Sequence, residues 1–140
     1  MNSLIDKKLQ EAGIIADRLL NSKQYSFADL KPSDLTDGLA VIYAIFDKDT
    51  GETLYVGRTK NLRQRLYNNH LMGPKSNARL KKYLTEDPNV PEIQTMEQAK
   101  QYLREHCCFQ YIPEPDMRSR GQIEGLLSYL LDVRYIHEEH

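Results

Sequence analysis

The sequence predicts an α/β (α+β) fold: a small, mainly antiparallel, three-stranded sheet flanked by helices. Three observations predict it. Residues 39–46 (LAVIYAIF), 53–57 (TLYVG) and 107–112 (CCFQYI) are apolar, β-branched or aromatic runs of strand length. The first two are separated by the turn-forming residues Asp47, Lys48, Asp49, Thr50, Gly51 and Glu52, which makes them a hairpin. Much of the remaining chain repeats apolar residues at three- and four-residue spacing, the period of an amphipathic helix. At 140 residues, with 40% hydrophobic and 28% charged side chains, the chain has the size and balance of one globular core.

The elements follow in order. Leu4, Ile5, Leu9, Ala12, Ile15, Ala16, Leu19 and Leu20 place an amphipathic helix over 4–21. Residues 21–38, with Pro32, Ser33, Asp37 and Gly38, are turn-rich, so 1–38 is expected to be a helix and connector ahead of a main domain at 39–136, with 137–140 as a tail. The unbroken apolar run 39–46 predicts a buried central strand. In the turn that follows, Gly51 supplies a positive φ. The turn could be mistaken for a calcium loop, but the glycine comes one position early and the twelfth position is Arg58 where a bidentate Glu is needed. After the return strand, Asn61 can N-cap a helix over 61–72, which Gly73-Pro74 breaks. A helix over 76–84 follows. Thr95 with Gln98 three residues on predicts the start of a helix over 96–106. The stripe in 122–133 (QIEGLLSYLLDV) closes the domain with a helix.

Several classes are excluded or set aside. No apolar stretch approaches the eighteen or so residues a membrane helix needs. Residues 1–8 lack the apolar core of a secretory signal, which gives the expectation of a cytoplasmic chain. Cys107 and Cys108 are adjacent in a strand and point to opposite faces, so they are expected to be unpaired and inert; with His106 they supply neither the count nor the spacing of a zinc site. The net charge is −1, yet residues 58–82 hold Arg58, Lys60, Arg63, Arg65, Lys75, Arg79, Lys81 and Lys82 and no Asp or Glu. Such a segment suits a polyanion, since each cation that neutralises a phosphate releases a counterion; it also suits a solvated helical face.

The chemistry-bearing residues are Tyr43 and Tyr55 on the two strands of the hairpin, Arg65 on the next helix, and Glu124, a lone carboxylate between Ile123 and Leu126 on an apolar helix. A carboxylate there must be paired, exposed at a rim, or functional. Taken singly, each has a bland reading: core packing for the tyrosines, a solvated side chain for Arg65, an ion pair with Arg120 for Glu124. His70, His106, His137 and His140 are individually uninformative. The joint spacing is not bland.

The stretch VIYAIFDKDTGETLYVGRTKNLRQRL resembles the opening of the GIY-YIG nucleases: an apolar strand with a G-I-Y triplet, a turn, Y-I-G or Y-V-G, and an arginine eight residues after that glycine. Tyr43 and Tyr55 match the two family tyrosines, Gly57 the glycine at the structural turn and Arg65 the arginine. Further on, FQYIPEPDMRSRGQIEGLLSYLL matches the family's strand, acidic loop and glutamate helix, with Glu124 as the glutamate. The resemblance covers 39–136. It implies a GIY-YIG-like fold and a divalent-metal-dependent endonuclease acting on nucleic acid, most often DNA. It also implies one Mg²⁺ (or Mn²⁺) held by Glu124 and waters, and products ending in 5′-phosphate and 3′-hydroxyl. Tyr43 would take the proton of the attacking water, Tyr55 would orient water or phosphate, and Arg65 would stabilise charge on the phosphoryl oxygens.

Three positions depart from the pattern. Val41 replaces the first glycine. The family histidine stands four residues after the arginine, where this chain has Asn69; His70 is five on, rotated about 140° on a regular helix. Either the helix deforms, or Asn69 takes the polar role, or the site is weakened. The family's asparagine after the glutamate helix is not visible in residues 132–136. A second reading therefore stands beside the first: a non-catalytic module of the same fold that binds nucleic acid or a protein partner through 58–82. The apolar face of 4–21 could in addition hold a protein partner or a second copy.

Overall fold

The computed structural model describes residues 2–137, so His140 and the last part of the expected tail lie outside the described residues. In chain order the elements are α1 (Ser3–Leu20), β1 (Tyr25–Ser26), a 3₁₀ turn (Pro32–Asp34), β2 (Val41–Asp47), β3 (Thr53–Thr59), a π-helix (Gln64–Leu71), α2 (Arg79–Glu86), α3 (Met96–His106), β4 (Cys107–Pro113) and α4 (Met117–Leu130). The sheet is antiparallel throughout and has four strands in the order β1-β4-β2-β3, one more than expected. The extra strand, pairing Tyr25 with Phe109 and Ser26 with Cys108, is two residues long and too short to show alternation.

β2 lies between β3 and β4 and is buried on both faces, which is why its sequence is continuously apolar rather than alternating. One face of the sheet carries Val41, Tyr43, Ile45 and Phe109. It packs against Leu62, Leu66 and Leu71 around the π-helix, Leu80 and Leu84 of α2, and Ala99 and Leu103 of α3. The other face carries Ile42, Ala44 and Ile112 beneath Leu19 of α1 and Leu127 of α4. The result is three layers. Phe27, Leu30 and Leu35 are buried in the first of these cores, so the segment read as a connector is part of the domain's interior.

Local signals account for most boundaries. Thr95 and Gln98 form the expected capping box at the start of α3. α4 begins five residues earlier than its apolar stripe, at the Asp116 cap, because Arg120 is buried and donates to the carbonyls of Glu114 and Pro115. The hairpin turn closes on Asp47, whose Oδ1 accepts from the amides of Asp49 and Thr50, with Gly51 at φ 77°. Cys107 and Cys108 are free thiols, both buried. No helix of the described residues is long and apolar enough to cross a membrane.

Candidate active site

The two tyrosines share the face of the sheet that bears the π-helix. Tyr43 on β2 sits directly opposite Gly57 on β3, and Tyr55 lies opposite Ile45, one pleat away. Their rings stack at 6.1 Å between centroids and 15° between planes. A Cβ at position 57 would overlap the Tyr43 ring and hydroxyl, so glycine is what allows the ring to lie flat across β3. Tyr43 is 1% exposed. Burial raises its pKa well above the ordinary phenol value, the neighbouring Tyr55 and Glu124 add to the rise, and Arg65 and Arg79 oppose it. Burial likewise raises Tyr55, against the pull of Arg79 and Arg65.

Of the three possibilities for Arg65 and His70, the first is realised: the helix deforms. From Gln64 to Leu71 the chain winds as a π-helix, with the Met72 amide bonding to the Tyr67 carbonyl five residues back. In that winding, residues five apart stand on one face, as residues four apart do in an α-helix. His70 thereby points inward, fully buried, with Nε2 2.7 Å from the Tyr43 hydroxyl and its ring edge-on to Tyr55 at 4.9 Å. Burial, reinforced by Arg65, Lys81 and Arg79, pushes its pKa down to about 3, so the imidazole is neutral at pH 7. Asn69 is turned toward Gln64 at the surface, 3.4 Å between side-chain atoms.

Glu124 arrives from the opposite layer. It is on α4, whose Leu127 packs beneath Ile42 and Ala44, and its carboxylate reaches the margin of the sheet beside β3 with 34% of the side chain exposed. Its ion-pair partner is Arg58 of β3, at a loose 3.9 Å, and not Arg120, which is occupied elsewhere. The Arg58 guanidinium rests on Gly121, where a Cβ would collide with it. Partial desolvation raises the Glu124 pKa, while Arg58, Arg79 and Arg65 hold it down. Glu124 and Tyr43 influence each other's ionisation across the margin of the sheet, and Arg65 acts on both as it does on Tyr55 and His70. The Nε of Arg65 is buried and without a hydrogen-bond partner.

The donor set suits one hard cation that keeps its water. Glu124 is the one carboxylate among the described residues that acts on Tyr43, its close partners are the side chain and backbone of Arg58, and no group of three or more His, Cys, Asp or Glu able to hold a metal exists among the described residues. Mg²⁺ is bound in that manner, through one or two carboxylates plus waters and phosphate oxygens.

The basic segment divides. Arg58, Lys60, Lys75, Arg79 and Lys82 are exposed, Lys75 pairing with Glu86 at 3.6 Å. Arg63 donates to the Leu35 carbonyl and ties the N-terminal segment to the start of the π-helix. Lys81 is a correction: it is 3% exposed, and its ammonium donates to the carbonyls of Leu71 and Gly73 at 2.7 and 2.9 Å, closing the end of the π-helix instead of meeting phosphate. Burial lowers its pKa to about 8. Sequence reasoning missed the surroundings of Arg79: Tyr83, Tyr135 and His137 cluster beside Tyr55, and His137 contacts Arg79 and Tyr83 where a loose tail was expected. The four-residue spacing of Arg79 and Tyr83 was the available signal.

Comparison with protein families matches residues 39–108 to the GIY-YIG catalytic domain. No curated protein and no solved structure matches the chain significantly.

Proposed function

The chain belongs to the GIY-YIG family, a nuclease-type family whose catalytic domain spans half of its 140 residues, and on that premise we propose that it is a divalent-metal-dependent endonuclease hydrolysing phosphodiester bonds in DNA. The observation that carries the reading is the convergence of Tyr43, Tyr55, His70 and Arg65 from one layer with Glu124 from the other. Arg65, buried at Nε without an acceptor, supports an anionic ligand in the same space.

Glu124 would hold Mg²⁺ or Mn²⁺, whose charge would neutralise the scissile phosphate and the departing oxygen. Tyr43 would accept the proton of the attacking water and pass its own to His70 Nε2 along the 2.7 Å contact. In the free protein His70 is too weak a base for that, because Arg65, Lys81 and Arg79 add to the effect of burial. A phosphate beside Arg65 and Arg79 would cancel part of this positive field and raise the basicity of His70 when substrate is in place. Arg65 would stabilise the equatorial oxygens, Tyr55 would orient water or phosphate, and the products would carry 5′-phosphate and 3′-hydroxyl ends. Arg58, Lys60, Lys75 and Lys82 would contact the flanking backbone.

The test is cleavage of single-stranded, duplex, nicked and branched DNA, with RNA included, in Mg²⁺, Mn²⁺ and EDTA. The expected result is metal-dependent cleavage that falls by at least about 100-fold in Glu124→Gln. Salt-sensitive DNA binding without cleavage, unchanged by Glu124→Gln or by metal, would replace this reading with a binding module.

A further inference from the structure

Arg79 opens α2 on the side of the site formed by Tyr55. Its guanidinium approaches the Tyr55 hydroxyl and lies 3.5 Å from His137 Nδ1. The groups that feel its charge are Tyr43, Tyr55, His70 and Glu124, the same four that feel Arg65. Two guanidinium groups thus act on one set of side chains. Neither has a carboxylate within ion-pair distance among the described residues, and the acceptors around Arg79 are a phenol and an imidazole. The Glu124 carboxylate, on which both act, is paired with Arg58 and with neither of them, so two cations gathered there gain most from a further anion between them.

The C-terminal segment holds this arrangement. The amides of Arg134 and Tyr135 donate to the carbonyls of Thr53 and Leu54 at the start of β3. The Tyr135 ring stacks on Tyr83 of α2 at 5.5 Å and 13°, and its hydroxyl donates to Asp87 Oδ2 at 2.7 Å. Tyr83 in turn lies against Tyr55, and its hydroxyl is 3.4 Å from His137 Nδ1. Residues 134–137 therefore fasten α2 to β3 at the point where Arg79 meets Tyr55.

We infer that Arg79 is a second cation on the phosphate held by Arg65, and that residues 134–137 act as its positioning element. The inference rests on the nucleic-acid reading above but not on catalysis. Its test is a double-mutant cycle on the affinity of the full chain for a short DNA duplex in EDTA, measured across salt concentrations. Arg65→Gln and Arg79→Gln are each expected to weaken binding and to reduce the salt slope by about one. Together they should depart from the product of their separate effects by about threefold or more, whereas Lys60→Gln, exposed and outside the cluster, should multiply with Arg65→Gln. Tyr135→Ala should reproduce the loss seen in Arg79→Gln and add nothing to it, while Tyr135→Phe, which keeps the ring stack, should retain most of the affinity. Simple multiplication of the two arginine effects, or a further loss from Tyr135→Ala in the Arg79→Gln background, would overturn the inference. A chain that shows the coupling yet never cleaves DNA sinks the nuclease reading alone, and a chain that binds no DNA sinks both.

Discussion

At Tyr43 the sequence meets two demands at once, because the ring must fill a core position on a central strand and the buried hydroxyl must still find a hydrogen-bond partner. Gly57 resolves the conflict by leaving room opposite, so that the ring crosses β3 and its oxygen meets His70. Replacing the glycine has a consequence that can be separated from general strand weakening. Gly57→Ala is expected to destabilise the protein by about 1–3 kcal/mol through overlap with the ring. In a Tyr43→Ala background, where the obstruction is gone, the same substitution should cost well under that. Chemical denaturation of the four proteins measures the coupling, and an undiminished cost in the Tyr43→Ala background would assign the glycine a backbone role instead. Val41, in place of the family's first glycine, is fully buried on β2 and pairs with Thr59 and Pro113 as an ordinary strand residue.

The π-helix is the element on which the site depends. Its winding satisfies two pairs together, since Leu66 and Leu71 are both buried and Arg65 and His70 are both directed at the tyrosines, each pair five residues apart. Lys81 caps the far end, and Gly73 fits against the Asn69 carbonyl where a Cβ would clash. Each pair is separated by one residue more than an α-helical turn needs, so removing one exposed position should return the segment to an α-helix while keeping both pairs aligned. Deletion of Asn68 is therefore expected to leave a folded protein whose cleavage rate lies within about tenfold of the parent, because four-residue spacing on an α-helix restores the shared face. Loss of cooperative thermal unfolding in that variant would show that the wider turn itself is required.

Across the whole molecule, the buried neutral His70 ties stability to pH. Its pKa is about 3 in the folded chain against an ordinary 6.5, so between those values the unfolded state takes up a proton that the native state refuses. Stability should accordingly fall as pH drops below 6.5, at up to about 1.4 kcal/mol per pH unit from this group. Denaturant unfolding at pH 7.0, 5.5 and 4.5 should show a shallower dependence in His70→Gln than in the parent; parallel curves would mean the imidazole is protonated in the fold. The N-terminal region provides a second test at this scale. Leu19 covers one face of the sheet, and Phe27, Leu30 and Leu35 fill the core of the other. A chain beginning at residue 39 is expected to lose cooperative unfolding and to aggregate, although the family match begins there. A soluble truncated chain with a sharp melting transition would contradict this.

The sequence by itself determined what depends on neighbours along the chain. The hairpin, the doubly buried β2, the Thr95–Gln98 cap and the spacing of Tyr43, Tyr55, Gly57 and Arg65 are all written locally, as apolar period, turn chemistry or motif. Tertiary structure decided the features that such periodicity cannot encode. A two-residue strand has no alternation to read, and residues 21–38 look like a connector until Phe27 and Leu35 are seen in the core. Lys81 counts as surface charge until two carbonyls claim it, and His137 counts as tail until it meets Arg79. The five-residue interval between Arg65 and His70 was visible, but an α-helix and a π-helix give it opposite meanings. The choice between them was made by packing, where Leu66 and Leu71 had to enter the same core and Lys81 had to close the turn behind them.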